Sequence, residues 1–277
     1  MKTLDGKVAV ITGGGGGLGL ALAKQCARRG MRLVLADVDR GALDASASAL
    51  GPGVQCATAV TDVTKRDSVD ALARLAYERF GAVHLLFNNA GVGLTKPVAE
   101  TTANDWTWVL GVNLWGVING IAAFLPRMLE QEEESRIVNT ASAAGFLSDP
   151  GMAAYGVSKH GVVVISETLR KELAERSARV GVTVLCPAFF PTGISSSERV
   201  RPPELAGTPA SSTSREVQDR LDGAVRKGRL SADDVAAQAI DAILAGDFYL
   251  FTHKKIRLAI EERLRGVLDA CPYSPKP

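Results

Sequence analysis

Short apolar runs alternate with longer amphipathic stretches along this chain. Residues 7–12 are apolar and β-branched and predict a strand. Residues 17–29 follow with Leu18, Leu22, Ala23, Cys26 and Ala27 at helical spacing. The same alternation then repeats. Further strands are predicted over 32–36, 54–58, 83–87, 136–141, 182–186 and 248–252. Helices are predicted over 40–50, 68–80, 103–130, 153–177, 231–245 and 255–269. Strands that alternate with helices of about ten residues or more imply parallel βαβ units. Right-handed crossovers then give an α/β fold: a doubly wound parallel sheet of seven strands with helices on both faces. No linker divides the chain, so residues 1–277 are expected to form one domain. Residues 191–214 are rich in Ser, Pro, Gly and Thr and read as a long mobile loop, part of a substrate lid near 190–228. Residues 271–277 read as a disordered tail.

Composition narrows the partners. The chain has 277 residues, 46% hydrophobic and 22% charged, which is ordinary globular usage with material for a sizeable core. Lys and Arg number 32 against 30 Asp and Glu, so the formal net charge is +2. That balance makes no electrostatic case for nucleic acid or an anionic membrane. Cys26, Cys56, Cys186 and Cys271 have no CxxC spacing, and His84, His160 and His253 lie far apart. Neither set predicts a disulfide framework or a metal site. Asp5 and Lys7 interrupt the N-terminal apolar run, and no apolar run is read as approaching the ~18 residues that span a bilayer. The expectation is a cytoplasmic protein with a small-molecule substrate.

The candidate chemistry is positional. Thr12-Gly13-Gly14, Asp37, Asp62, Asn88-Asn89-Ala90-Gly91, Ser142 and Pro187 each follow a predicted strand at its carboxyl end. In an open α/β sheet that edge binds ligands. The run Thr12–Gly19 joins strand to helix. Its glycines let the backbone approach a pyrophosphate, and the helix N-terminus offers free N–H groups. Asp37 stands about 20 residues after the glycines, placed to accept from ribose hydroxyls and to repel a 2′-phosphate. No Lys or Arg lies among Gly13–Gly17 or directly after Asp37, and Arg40 is three residues on, so NAD is favoured over NADP. Asp37 and Asp62 also read as plain helix caps. Tyr155 and Lys159 are at i and i+4, on one face of a helix. An ammonium beside a phenol lowers a pKa that is ~10 when unperturbed, which suits Tyr155 to acid/base work. The bland alternative is a tyrosine packed on a lysine stem. Ser142 ends a strand thirteen residues earlier, where its hydroxyl could hold a substrate oxygen.

Together, Thr12–Gly19 (TGxxxGxG), Asn88–Gly91 (NNAG), Asn113 in VNLWG, Ser142 and Tyr155-x-x-x-Lys159 resemble the short-chain dehydrogenase/reductase family, over about residues 5–192. The resemblance implies a Rossmann-like sheet and hydride transfer between nicotinamide and an alcohol/carbonyl pair. It implies Tyr155 as acid/base, Lys159 as the group that lowers its pKa and binds the nicotinamide ribose, and Ser142 as substrate holder. Asn113 would anchor a water that links Lys159 to solvent. Gly13, Gly17, Leu18, Gly19, Asn89, Ala90, Gly91 and Pro187 would line the cofactor, with Asp62 and Val63 near the adenine and Thr192 at the carboxamide. Pro187-Ala188 stands where the family often has Pro-Gly. The family's dimer packs two helices per subunit, here those near 103–130 and 153–177, so a homodimer or homotetramer is implied. Trp106, Trp108 and Trp115 read as core, with a subunit interface as the alternative.

Leu94, Ala143, Phe146, Met152, Phe189 and Phe190 flank the catalytic residues and make the candidate substrate pocket. They are apolar, which suits a bulky lipophilic or aromatic secondary alcohol or ketone. Phe146 and Phe189 read equally as core. Arg199 and Arg201 in the lid read as a solvated face, or as groups that meet an anionic substrate. Two other functions compete: an NADPH-dependent 3-oxoacyl thioester reductase, which Asp37 opposes, and a catalytically silent dinucleotide-binding regulator on the same fold.

Overall fold

Alternate residues of the central strands bury to opposite sides, which sets the layers. Val10, Val34, Leu86, Ile137 and Val182 share one core cluster, and Ile11, Leu33, Leu35, Phe87 and Leu185 share another. The computed structural model describes residues 3–271. The strands are β1 (Val8–Thr12), β2 (Arg32–Asp37), β3 (Cys56–Val60), β4 (Leu85–Asn88), β5 (Ser135–Thr140), β6 (Val180–Cys186) and β7 (Tyr249–Phe251). They form one sheet in the order β3-β2-β1-β4-β5-β6-β7, every pair parallel. Helices α1 (Gly17–Ala27), α2 (Arg40–Ala49) and α8 (Ala232–Ala245) cover one face through Leu22, Leu43 and Ile240. Helices α3 (Arg66–Phe80), α5 (Gly116–Glu130) and α6 (Ala153–Glu175) cover the other through Leu72, Phe124 and Leu169. The strand order reverses between β1 and β4, and the crevice that opens there is where such sheets bind ligands.

Three expectations change. The helix expected over 103–130 is α4 (Ala103–Leu110), a π turn at Gly111–Trp115, and α5. By length and composition Ala103–Glu130 is apolar enough to span a bilayer, contrary to the expectation that no run comes near that length; half of that stretch is buried, packed on α3 and α6. Residues 191–214 are not an open loop. They hold 3-10 turns at Gly193–Val200 and Pro203–Leu205 and lead into α7 (Ser212–Arg226). The hydroxyls that looked like loop composition are caps: Thr192 accepts from the Ile194 amide and Ser211 from the Ser214 amide. The last helix, α9, runs Ile256–Asp269. Apart from Cys271, the expected tail lies outside the described residues.

His84 supports the start of the sheet. Its Nδ1 accepts from the Val8 amide at 3.0 Å, so Nε2 carries the proton and meets Glu133 at 3.0 Å. Burial holds the imidazole below its usual 6.5, against the pull of Glu133. A depressed histidine pKa means the unfolded chain binds the extra proton first. Stability is therefore full above pH 6.5 and is lost as pH falls below it. The denaturant midpoint is expected to drop between pH 7.5 and pH 5.5, and His84→Gln is expected to flatten that drop. An unchanged slope in the variant would show that other groups carry it.

Candidate active site

The end of β1 is stitched to the end of β4. The Thr12 hydroxyl donates to the Phe87 carbonyl at 3.2 Å and accepts from the amides of Asn89 (2.9 Å) and Ala90 (3.1 Å). Asn89 Nδ2 donates back to the Thr12 carbonyl at 3.0 Å. Between these bonds the glycine run turns. Gly13 has φ +65°, and a Cβ on it would stand 2.9 Å from Ala90 Cα. A Cβ on Gly19 would sit on the Gly13 carbonyl oxygen. No side chain caps the first turn of α1, so its N–H groups face the crevice unspent. Asp37 ends β2 with one carboxylate oxygen accepting from the Gly15 amide at 3.0 Å and the other from the Asp39 amide at 3.2 Å. Asp62 is held by the Thr64 amide and hydroxyl and by Lys65. Burial raises its carboxyl, and those bonds outweigh burial and bring it below the usual value. Val63 is buried, its carbonyl accepting from Asn119 at 2.9 Å. The cradle fits a dinucleotide: glycine where a Cβ would collide, free amides for a diphosphate, and a carboxylate for ribose hydroxyls.

The second group of residues comes from β5, the π turn and α6. Lys159 Nζ donates to the Thr140 carbonyl at 2.8 Å, and burial pushes the ammonium down to about 8. Ser142 accepts from the Ala144 amide at 3.2 Å and lies 3.4 Å from the Pro187 carbonyl. Asn113 sits on the π turn. Its side chain clasps the Val92 backbone, accepting from the amide at 2.8 Å and donating to the carbonyl at 3.0 Å, and also donates to Ser158 at 3.1 Å. Ser158 in turn donates to the Tyr155 carbonyl at 2.6 Å. This chain fixes α6 against the loop that follows β4. The sequence reading missed Ser158, Thr140 and Val92, whose roles are made by contacts and not by residue type. It also expected Lys159 to pull the Tyr155 phenol down. Burial instead pushes that phenol up, opposed by its hydrogen bond with Ser142, and Lys159 Nζ is 5.6 Å from the ring centre.

One cavity of about 1430 Å³ joins the two groups. It runs from Gly13, Gly17, Leu18 and Asp37, past Asp62 and Val63, then Ala90, Gly91 and Lys159, to Ser142 and Tyr155. Leu94, Ala143, Met152, Phe189, Phe190, Pro187 and Thr192 line it, and α7 adds Leu221 and Val225. Phe146 does not. Its ring packs instead at 5.8 Å on Tyr249 and 5.1 Å on Phe251, the aromatic residues of β7. Arg201 is neither solvated nor in the cavity wall: it pairs with Asp105 and covers the Trp108 ring at 4.7 Å. Arg199 pairs with Asp39 at 3.3 Å, beside Asp37. Trp108 is buried, whereas Trp115 is 55% exposed. Among the described residues no group of three or more His, Cys, Asp or Glu is placed to hold a metal ion.

The comparisons agree with this geometry. A family model for short chain dehydrogenase matches residues 7–202. A short chain dehydrogenase/reductase from Burkholderia phymatum, solved in complex with NAD, superposes with a TM-score of 0.96 at 47% identity, covering 100% of both chains. The 1-deoxy-11-beta-hydroxypentalenate dehydrogenase of Streptomyces arenae is 32% identical over 97% of this chain and 90% of its own. The C alpha-dehydrogenase of Sphingobium is 30% identical over 98% of this chain and 88% of its own. With the glycine cradle, the Ser142–Tyr155–Lys159 group and the reversed strand order in one molecule, the chain belongs to the short-chain dehydrogenase/reductase family.

Proposed function

We propose that this oxidoreductase uses NAD to interconvert a bulky, lipophilic or aromatic secondary alcohol and its ketone. The observation that carries the proposal is the single cavity with Asp37 and the glycine cradle at one end and Ser142 with Tyr155 at the other. The bound NAD of the Burkholderia phymatum relative and the hydroxyl-bearing compound in the name of the Streptomyces arenae enzyme support it.

Gly13, Gly17, Leu18, Gly19, Asp37, Asn89, Ala90 and Gly91 would hold the dinucleotide, with Val63 and Asp62 beside the adenine. Lys159 and Thr192 would hold its nicotinamide end, which supplies the hydride acceptor or donor. In the oxidation direction Tyr155 acts as the phenolate, which the buried Lys159 charge favours, and takes the hydroxyl proton of the alcohol while Ser142 holds that oxygen. In reduction the same phenol returns the proton to the new hydroxyl. Lys159 is buried, so its charge acts in a poorly screened site. Asn113 acts through the Val92 backbone, keeping the loop after β4 against the cavity. The lid is the segment from Thr192 through α7, whose apolar side chains close the substrate end. Trp115, Val157 and Val164 are exposed on α5 and α6 or at their edge and would form the face of a symmetric dimer.

Two outcomes test the reading. Tyr155→Phe is expected to lower turnover of a benzylic secondary alcohol by about 100-fold or more while NADH binding persists. Near-wild-type turnover in that variant would remove Tyr155 from the proton step. Wild-type protein is expected to bind NADH more tightly than NADPH, and Asp37→Asn to narrow that preference by about tenfold by removing the charge that repels a 2′-phosphate. Tighter NADPH binding by the wild type, read by fluorescence titration, would overturn the cofactor assignment.

A further inference from the structure

A buried set of charges joins three walls of the substrate end of the cavity. Lys96 follows the Asn88–Gly91 turn. Its backbone amide donates to the Gly151 carbonyl at 2.7 Å, and it bridges Met152 in parallel register. Met152 lines the cavity three residues ahead of Tyr155. Gly151 has φ +80°, and a Cβ on it would reach within 2.8 Å of Val217 on α7, so nothing larger fits between this loop and the lid. The Lys96 side chain runs the other way. Its Nζ donates to Asp105 at 3.0 Å and to Thr208 at 2.7 Å. Asp105 caps the first turn of α4, where its second oxygen accepts from Arg201 at 2.6 Å. Arg201 gives its remaining donors to the Leu205 carbonyl at 2.6 Å and to Glu198 at 3.0 Å. The side chains of Lys96, Asp105 and Arg201 are 6%, 0% and 5% exposed.

Buried ion pairs add little net stability over apolar packing of the same shape. What they add is direction: each bond holds only at one separation and angle. Here the directions converge on the cavity. Met152 comes from the loop before Tyr155, Trp106 from α4, and Ile194, Val200 and Leu205 from the lid strap, and all of them line it.

We propose that Lys96 is a positioning residue that sets the width of the substrate chamber. Its backbone holds the Gly151–Met152 wall, and its ammonium holds Asp105 and, through Asp105, the lid segment at Arg201. Lys96 itself does not line the cavity. It acts on substrate size: the chamber stays shaped for a bulky alcohol because three walls share one anchor. This inference rests on the alcohol/ketone reading above.

The experiment compares Lys96→Met with wild-type and Lys96→Arg enzymes on two substrates, 1-phenylpropan-1-ol and propan-2-ol, with NAD. Lys96→Met keeps the stem and the backbone bond and removes the charge. Its KM for the bulky alcohol is expected to rise about tenfold, the scale of one lost charge-assisted hydrogen bond. Its kcat for that alcohol, its kcat/KM for propan-2-ol and its NADH affinity are expected to stay within about twofold of wild type. Lys96→Arg is expected to recover most of the KM. Equal losses on both substrates would reduce Lys96 to a general staple and overturn the inference, as would an unchanged KM for the bulky one. Should Lys96→Met fail to fold, Thr208→Val removes only the outer bond and is expected to raise the same KM by a few-fold; no rise overturns the inference. An active wild type with an unchanged size preference in the variants defeats this inference alone. A wild type inactive on every alcohol and ketone, bulky or small, defeats the alcohol/ketone reading and the inference with it.

Discussion

The Thr12 hydroxyl occupies the point where the two halves of the sheet meet. It spends its proton on Phe87 and its lone pairs on the amides of Asn89 and Ala90, at the ends of β4 and β1. The ladder between β1 and β4 ends at Ile11 and Phe87, and beyond it the chains part because the strands on either side of the reversal lead their helices to opposite faces. A hydroxyl with one donor and two acceptor positions closes that gap. The glycine run can then leave the sheet with Gly13 against Ala90, and the uncapped start of α1 points into the crevice. The cofactor cradle depends on this junction as well as on the glycines.

The remaining site residues hang from the same edge but by different forces. Lys159 is placed by a single bond to the Thr140 carbonyl and by burial. Asn113 is placed by the π turn, which interrupts an otherwise apolar helix and turns an amide side chain inward onto Val92. Such single-turn insertions in helices frequently accompany functional sites. Asn113 and Ser158 together anchor the N-terminal part of α6, the helix that carries both Tyr155 and Lys159.

Most of this architecture was legible because strand period, helix period and end-of-strand chemistry coincide. Asp37 and Ser142 fall on one edge because each stands at the end of an apolar run, and Tyr155 and Lys159 share one face of the helix that follows. What stayed hidden depends on contacts between distant segments. Arg201 has the same local sequence whether it faces water or Asp105. Phe146 follows Ser142 closely, yet its ring finds Tyr249 and Phe251, far along the chain. The Ser-rich stretch before α7 looks like loop composition, since the residues that cap helices are the residues that make loops. A lysine one helical turn from Tyr155 is visible in sequence; the burial that raises the phenol is not.

The reversed strand order has a consequence for how the chain is made. β1 is synthesised first and ends up near the middle of the sheet, with β2 on one side and β4 on the other. A nascent chain can pair β1 with β2, and β2 with β3, once Val60 has emerged. The opposite edge of β1, apolar from Val8 to Ile11, then waits unpaired until Leu85–Asn88 follows. An exposed apolar strand edge is a template for pairing with the wrong neighbour. Through the interval between β3 and β4, filled by α3, that edge of β1 has no partner.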